Sequence, residues 1–232
     1  AIVGCGSGAG SKEVRGPLGH CFDLTSRDDR FHQESWEKAE TTMQKKALSF
    51  ALNKAGLTTE QLDYVLAGDL LNQCIATSYS MRTQEIPFFG LYGACSTMAE
   101  GLSLGAILID GGFASYTAAL TSSHFCSAER QYRNPLEYGG QKPPTAQWTT
   151  TGAGAVILSR KGDGPFVTHV TTGKIVDKGI TDANNMGAAM APAAYDTIQI
   201  HLQETGRTPD FYDCIVTGDL GQLGQEIVRE FF

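Results

Sequence analysis

Residues 51–70 read ALNKAGLTTEQLDYVLAGDL, and residues 201–220 read HLQETGRTPDFYDCIVTGDL. At a constant offset of 150, seven of the 20 positions are identical: Leu52/Leu202, Gly56/Gly206, Thr58/Thr208, Asp63/Asp213, Gly68/Gly218, Asp69/Asp219 and Leu70/Leu220. Chance supplies about one or two. Both stretches also read as the same physical unit. An amphipathic helix, Trp36 to Lys54 or Ala191 to Glu204, ends at a glycine, which takes the left-handed backbone of a helix terminus without steric cost. A Thr-x-x-x-x-Asp turn follows, then a short apolar strand, Tyr64–Ala67 or Cys214–Thr217, which runs into Gly-Asp-Leu. Short apolar strands alternating with helices predict an α/β fold around a buried, largely parallel sheet, duplicated within one chain.

The first copy continues past its Gly-Asp-Leu for about 80 residues, the second for about 12. The natural protein is therefore expected to extend by roughly 80–110 residues, with its second half truncated in this chain. On that reading residues 1–160 form the first half and residues 161–232 the start of the second. Between the copies, Glu129–Thr151 (ERQYRNPLEYGGQKPPTAQWTTT) is polar, rich in Pro and Gly, and loop-like. A strand is expected at Ala155–Ser159, and Phe166–Val176 continues as β-rich sequence.

Composition narrows the function classes. With 41% hydrophobic and 19% charged residues, the chain can bury a sizeable core. Eighteen basic against 25 acidic residues leave a net charge of −7. The one compact basic pair is Lys45-Lys46, so nucleic acid is not an expected partner. No transmembrane segment or signal peptide is read: the least polar stretch, Gly93–Leu120, is interrupted by Glu100 and Asp110 and is rich in Gly, Ala and Ser. The six cysteines show no CxxC pair and no metal-ligand spacing, so reduced thiols are expected, with no metal and no cofactor.

One cysteine stands apart. Ile86–Gly93 (IPFFGLYG) reads as a strand and passes through Gly93-Ala94 directly into Cys95-Ser96-Thr97-Met98. A buried helix should follow to about Asp110, carrying Ala99, Gly101, Ser103, Gly105 and Ala106 and stopping at Gly111-Gly112. A thiol at a strand-to-helix turn meets free backbone N–H groups and the positive end of the helix dipole, which favour thiolate. Cys95 is thus a candidate nucleophile or ligand contact; a buried inert cysteine is the structural alternative.

Strand–Gly-Ala-Cys-Ser–helix inside a duplicated βαβαβ unit resembles the thiolase superfamily, and in particular its ketoacyl synthase III branch. The run TGAGAVIL from Thr151 resembles that branch's Gly-Ala-Gly-Ala-Val strand, with Thr150-Thr151 where the branch has Gly-Asp. Longer runs are similar to the stage V sporulation protein AD family of spore-forming bacteria: GPLGHCFD (16–23), SWEKAE (35–40), LAGDLLNQ (66–73), FGLYGACSTM (89–98), DGGFA (110–114), TSSH (121–124), AERQYRNPLEYGGQKP (128–143) and GITDANNMGAAMAPAA (179–194). They span nearly the whole chain in order.

The resemblance implies a thiolase-like layered sandwich (α/β/α/β/α). It implies binding of dipicolinic acid, with calcium as an open question, and support for its uptake into the developing spore. The implied location is peripheral at the spore inner membrane, with other stage V membrane proteins as partners, and a homodimer is implied by the thiolase fold. The alternative is a Cys95-dependent acyltransferase or ketoacyl synthase acting on a thioester; a third reading is a purely structural partner of a membrane complex. In thiolase-type enzymes the cysteine is served by residues of the second half, expected beyond Phe232. Within the chain, the candidate ligand residues are Cys95, Ser96, Thr97, Ser122, Ser123, His124 and Asp69. Ser96 and Thr97 would cradle a carboxylate on the first helical turn or simply cap the helix. Ser122 and Ser123 would donate to a carboxylate or serve the strand end. His124 is a pocket residue or a structural histidine bonded to backbone. Asp69 sits at a strand's C-terminal end, where open α/β sheets bind ligands, yet its recurrence as Asp219 favours a structural role.

Two other motifs are weaker. Gly4-Cys5-Gly6-Ser7-Gly8-Ala9 fits GxGxxA, but Gly10, Gly16, Pro17 and Gly19 break the helix a dinucleotide fold requires. Asp23, Asp28 and Asp29 lack the spacing of a calcium loop and read as a solvated loop.

Overall fold

A computed structural model describes residues 1–132 and 145–232. Among these, one compact unit comprises residues 1–132 and 149–168, and a second comprises residues 145–148 and 169–232.

The first unit is built on a six-stranded sheet: β1 (Ile2–Ala9), β2 (Leu24–Thr25), β3 (Tyr64–Gly68), β4 (Phe88–Gly90), β5 (Tyr116–Ser123) and β6 (Gly152–Ser159), in the order β2-β1-β6-β5-β3-β4. β6 runs antiparallel to β1 and β5, while β3 pairs in parallel with β5 and β4. The C-terminal ends of β1, β3, β4 and β5 therefore share one edge.

Alternation along the strands divides the two faces. Val65, Ala67, Ala118, Leu120, Ala155 and Ile157 pack with helix α1 (Trp36–Ala55). Gly4 and Gly6 let α1 approach β1: a Cβ on Gly6 would lie 2.0 Å from the Ala47 carbonyl, and one on Gly4 2.2 Å from that of Ala51. The glycine pattern of residues 4–9 thus serves helix packing and not a phosphate loop. On the opposite face, helix α3 (Thr97–Asp110) buries Thr97, Gly101, Gly105 and Ile109, a four-residue spacing that keeps one stripe on the sheet. Gly105 lies against Thr117 and Leu158, and Gly101 against Ala119. The outer side of α3 stays open at Leu104 and Ile107. Burial of this helix is thus confined to one stripe, a correction to the expected buried helix. Three layers, α1, sheet and α3, are present in this unit.

Helix α2 (Ile75–Met81) follows β3, and helix α4 (Phe125–Tyr132) follows β5. The reading of Glu129–Thr151 as loop is corrected at its start, where residues 129–132 are helical; residues 133–144 lie outside the described residues. The strand expected over Ile86–Gly93 is confined to Phe88–Gly90.

The second unit carries helices α5 (Met186–Thr205) and α6 (Gly221–Phe231). α5 starts five residues before the expected Ala191, because Asn185 caps it by accepting from Ala188 N–H, and Pro192 lies in its interior instead of its first turn. The end of α5 repeats the end of α1. Gly56 and Gly206 take φ of 66° and 64°, Leu57 and Arg207 donate back to the Leu52 and Leu202 carbonyls, and each helix is followed by a 3-10 turn that begins directly after Thr58 or Thr208. The duplication is therefore present in the backbone as well as in the sequence. The strands expected at Cys214–Thr217 and Phe166–Val176 do not form: β3 is flanked by β5 and β4, whereas no strand among the described residues pairs with either segment. Val216 is 84% exposed where its counterpart Leu66 is buried. Among the described residues, no helix is long and apolar enough to cross a membrane.

Candidate functional site

Helix α3 opens on the sheet edge where the parallel strands end. The turn before it is strained: Ala94, a residue with a Cβ, has φ 47°, a left-handed conformation that costs about 1–2 kcal/mol. That backbone holds Cys95 on a single 3-10 turn, Ala94–Ser96, with the residue exposed to solvent. Ser96 does not cap the helix; its hydroxyl donates to the Gly93 carbonyl at 2.8 Å. The Ser96 and Thr97 N–H groups of this first turn donate to the Gly93 and Ala94 carbonyls of the preceding 3-10 turn. Thr97 is 2% exposed, and its Oγ1 has no hydrogen-bond partner among the described residues. The positive end of the helix dipole beside a buried, unsatisfied hydroxyl is what makes this turn a candidate anion site. One group opposes it: Glu100 Oε2 reaches back over Gly93, so that a Cβ there would lie 2.7 Å from the carboxylate.

The end of β3 abuts this turn. A Cβ on Gly68 would sit 2.0 Å from the Leu91 carbonyl and 2.8 Å from the Thr97 methyl. Asp69, next in sequence, is 2% exposed and accepts from Leu71 N–H, Thr77 N–H and Thr77 Oγ1 at 2.7–2.8 Å. It organises the connection into α2. Its repeat counterpart Asp219 is exposed and accepts from Gly221 N–H. Cys74, buried in the same connection, donates its thiol to the Leu91 carbonyl at 3.2 Å, and burial pushes that thiol's pKa up.

The other candidates sit at the end of β5 and face elsewhere. Ser122 shares the α1 face with Ala118 and Leu120; its hydroxyl donates to Glu40 and accepts from Gln44. The Ser123 hydroxyl donates to the Thr150 carbonyl at 2.6 Å. His124 is fully buried: Nδ1 accepts from Cys126 N–H, which leaves Nε2–H to donate to the Asp29 carbonyl at 2.8 Å. Burial holds its pKa below the ordinary histidine range. The structure thus brings Cys95, Ser96 and Thr97 together beside the buried Asp69, and gives Ser122, Ser123 and His124 partners within the fold. The aspartates of the early loop are also engaged, Asp23 by Ser7 and Lys54, Asp28 by Arg30 and His32 backbone, and Asp29 by Ser11.

The sequence reading missed the polar residues Glu40 and Gln44 on the buried face of α1. Their signal was present: they share the four-residue register of Ala47, Leu48, Ala51 and Leu52.

A duplicated α/β chain with a cysteine at the mouth of a helix, on the C-terminal edge of parallel strands, has a thiolase-like fold. Solved structures share that fold. OleA of Xanthomonas campestris, as a glutamate-to-alanine variant bound with cerulenin, matches with a TM-score of 0.68 at 16% identity, covering 100% of this chain and 78% of that one. 3-Oxoacyl-[acyl-carrier-protein] synthase III of Aquifex aeolicus matches with a TM-score of 0.61 at 14% identity, covering 99% and 80%. Residues 1–232 match the family model of stage V sporulation protein AD. The stage V sporulation protein AD of Bacillus subtilis is 49% identical over 229 residues, 99% of this chain and 68% of that protein. The chain belongs to the stage V sporulation protein AD family.

Proposed function

We propose that this sporulation protein binds dipicolinic acid at the N-terminus of α3 and supports its uptake into the developing spore. The observation that carries the reading is the mouth of α3, where an exposed Cys95 on a strained turn stands beside a Thr97 hydroxyl that is buried and unsatisfied among the described residues. A small dianion matches such a site through the helix dipole. Cys95, Ser96 and Thr97 would touch the ligand, with Asp69 holding the neighbouring connection. Peripheral attachment at the spore inner membrane, through other stage V membrane proteins, belongs to the same proposal.

A homodimer is proposed through β4. Among the described residues this strand has β3 as its one neighbour, and Phe88 and Phe89 are exposed on it, with Tyr92 exposed just beyond its end; an unpaired apolar edge is a ready template for pairing.

Calorimetric titration of dipicolinic acid, with and without Ca²⁺, tests the ligand reading on the protein and its Cys95→Ala variant. Saturable heat that weakens in the variant supports it; no saturation in either protein sinks it. The second reading, a Cys95-dependent acyltransferase, draws on the exposed thiol and its strained turn. Xanthomonas campestris OleA, which has the same fold, has been solved as a cysteine-to-serine variant with bound lauric acid and lauroyl-CoA. That reading requires a mass increase on Cys95 after incubation with an acyl-CoA.

A further inference from the structure

The turn that carries Cys95 is exposed, yet both of its ends rest on buried residues. Residues 94–96 face solvent, while Leu91 on the way in is 6% exposed and Thr97 on the way out is 2% exposed. Gly68, the last residue of β3, meets both: a Cβ there would lie 2.0 Å from the Leu91 carbonyl oxygen and 2.8 Å from the Thr97 methyl. The Leu91 N–H donates to the Ala67 carbonyl at 2.8 Å. Its carbonyl accepts from the Cys74 thiol at 3.2 Å. Leu91 is thus held by β3 on one side and by the connection that leaves β3 on the other, four residues before Cys95.

That connection is itself forced. Gln73 and Cys74 take φ of 60° and 52°, two successive left-handed residues that each carry a Cβ. Such backbone persists only where its surroundings over-determine it. Here the Cys74 N–H donates to the Leu71 carbonyl at 3.0 Å, and the Asn72 N–H donates to Gln131 Oε1 of α4 at 3.1 Å. Asp69 ties the two ends, accepting from Leu71 N–H before the turn and from Thr77 N–H and Oγ1 after it. Glycine would take this backbone without strain; instead a thiol-bearing residue stands there, buried, and gives its hydrogen to Leu91. Burial pushes the thiol's pKa up, so that hydrogen stays on sulfur.

We propose that Cys74 is a positioning residue for Cys95: its thiol fixes the Leu91 carbonyl, and with it the entry to the strained turn at Ala94. Gly68 closes the same turn at its exit, through Thr97. Asp69 acts one step further back, by shaping the Gln73–Cys74 turn. The buried Asp69 and Cys74 thereby share a role at the α3 mouth without touching a ligand. The proposal rests on the reading of that mouth as the functional site, and it concerns how Cys95 is presented, whichever molecule meets it.

Alkylation of Cys95 by iodoacetamide, followed by peptide mass spectrometry over a range of pH, tests it with no dipicolinate present. Cys74→Gly removes the thiol at a position whose φ glycine adopts freely. Cys95 labelling should then slow by about threefold or more, with its pH profile moved to higher pH, because a freed turn no longer holds the sulfur at the positive end of α3. Labelling of the exposed Cys5 and Cys21 should not change. Cys74→Ser keeps a donor and should recover most of the loss. A merely structural cysteine would lower the denaturation midpoint and leave the Cys95 profile where it was. That result in Cys74→Gly overturns the proposal, as does equal slowing in Cys74→Ser. If Cys74→Gly does not fold, Gln131→Ala decides: the residue is exposed, and its loss leaves Cys74 in place while freeing the Asn72 N–H. Cys95 labelling should shift in the same direction, and an unchanged rate overturns the pin. Because no ligand is added, failure here leaves the dipicolinate reading standing, and a lack of dipicolinate binding leaves the pin standing.

Discussion

Thr97 and Glu100 define the electrostatics of the candidate site from opposite sides. The Thr97 hydroxyl is buried without a partner among the described residues, while the Glu100 carboxylate, one turn on, lies over the Gly93 backbone where a dianion would approach. Removing that like charge should help an anionic ligand: Glu100→Gln is expected to tighten dipicolinate binding by about 2–5-fold, read by calorimetry. Unchanged or weaker binding would place the ligand away from this turn. Glu40 makes a pH prediction of its own. Its folded pKa is raised from 4.5 to about 7, so between those values the folded state holds more protons than the unfolded state. Stability therefore falls as pH rises through that window, by up to about 3 kcal/mol. Denaturant midpoints should show this slope in the wild type and lose it in Glu40→Gln; equal slopes would contradict it. None of this cluster was evident from residue types alone. A helical register places Glu40 and Gln44 in line with Ala47 and Ala51, but only packing against β5 and α2 shows that the polar residues are enclosed. Likewise, nothing local in Thr-Ser-Ser-His distinguishes a pocket histidine from one whose two nitrogens are held by backbone, as in His124.

At the scale of elements, what was legible depended on how local the signal was. Gly56 and Gly206 fix the ends of α1 and α5 because a left-handed terminus is a single-residue requirement. Gly111 closes α3 where its sequence predicts. The expected start of α5 falls too late because Pro192 usually marks a first helical turn, and here it lies within the helix. The strand expected at Cys214–Thr217 depends on neighbours that pair with it, and an apolar run of four residues does not carry its own partners. Edge strand β4 yields the prediction at this scale. If Phe88 and Phe89 form the self-association surface, Phe89→Lys should convert a dimer to a monomer in sedimentation while leaving the denaturation midpoint of the monomer within about 0.5 kcal/mol of the wild type. A wild-type protein that is already monomeric at high concentration would remove the dimer from the account.

The whole molecule follows from the duplication. The first copy builds the α1, sheet and α3 layers of a thiolase-like half, and the second repeats the helix–turn–Gly-Asp-Leu unit with the same helix terminus. Family membership, fold and the place of Cys95 at a helix mouth were all legible in the sequence, because they rest on ordered motifs and on a strand-to-helix turn. The division of labour at the sheet edge was not, because it depends on which face of β5 each serine occupies. Ser122 points to α1 and Cys95 lies with α3, so the proposed site falls to α3 and the end of β3.

Protection of Cys95 from alkylation by dipicolinic acid tests the central claim most directly. Cys5 and Cys21, also exposed, serve as internal controls. The account predicts that iodoacetamide labelling of Cys95 slows saturably as dipicolinate is added, while Cys5 and Cys21 label at constant rates. Saturable binding with Cys95 labelled at an unchanged rate would contradict it, because the ligand would then occupy a site other than the mouth of α3.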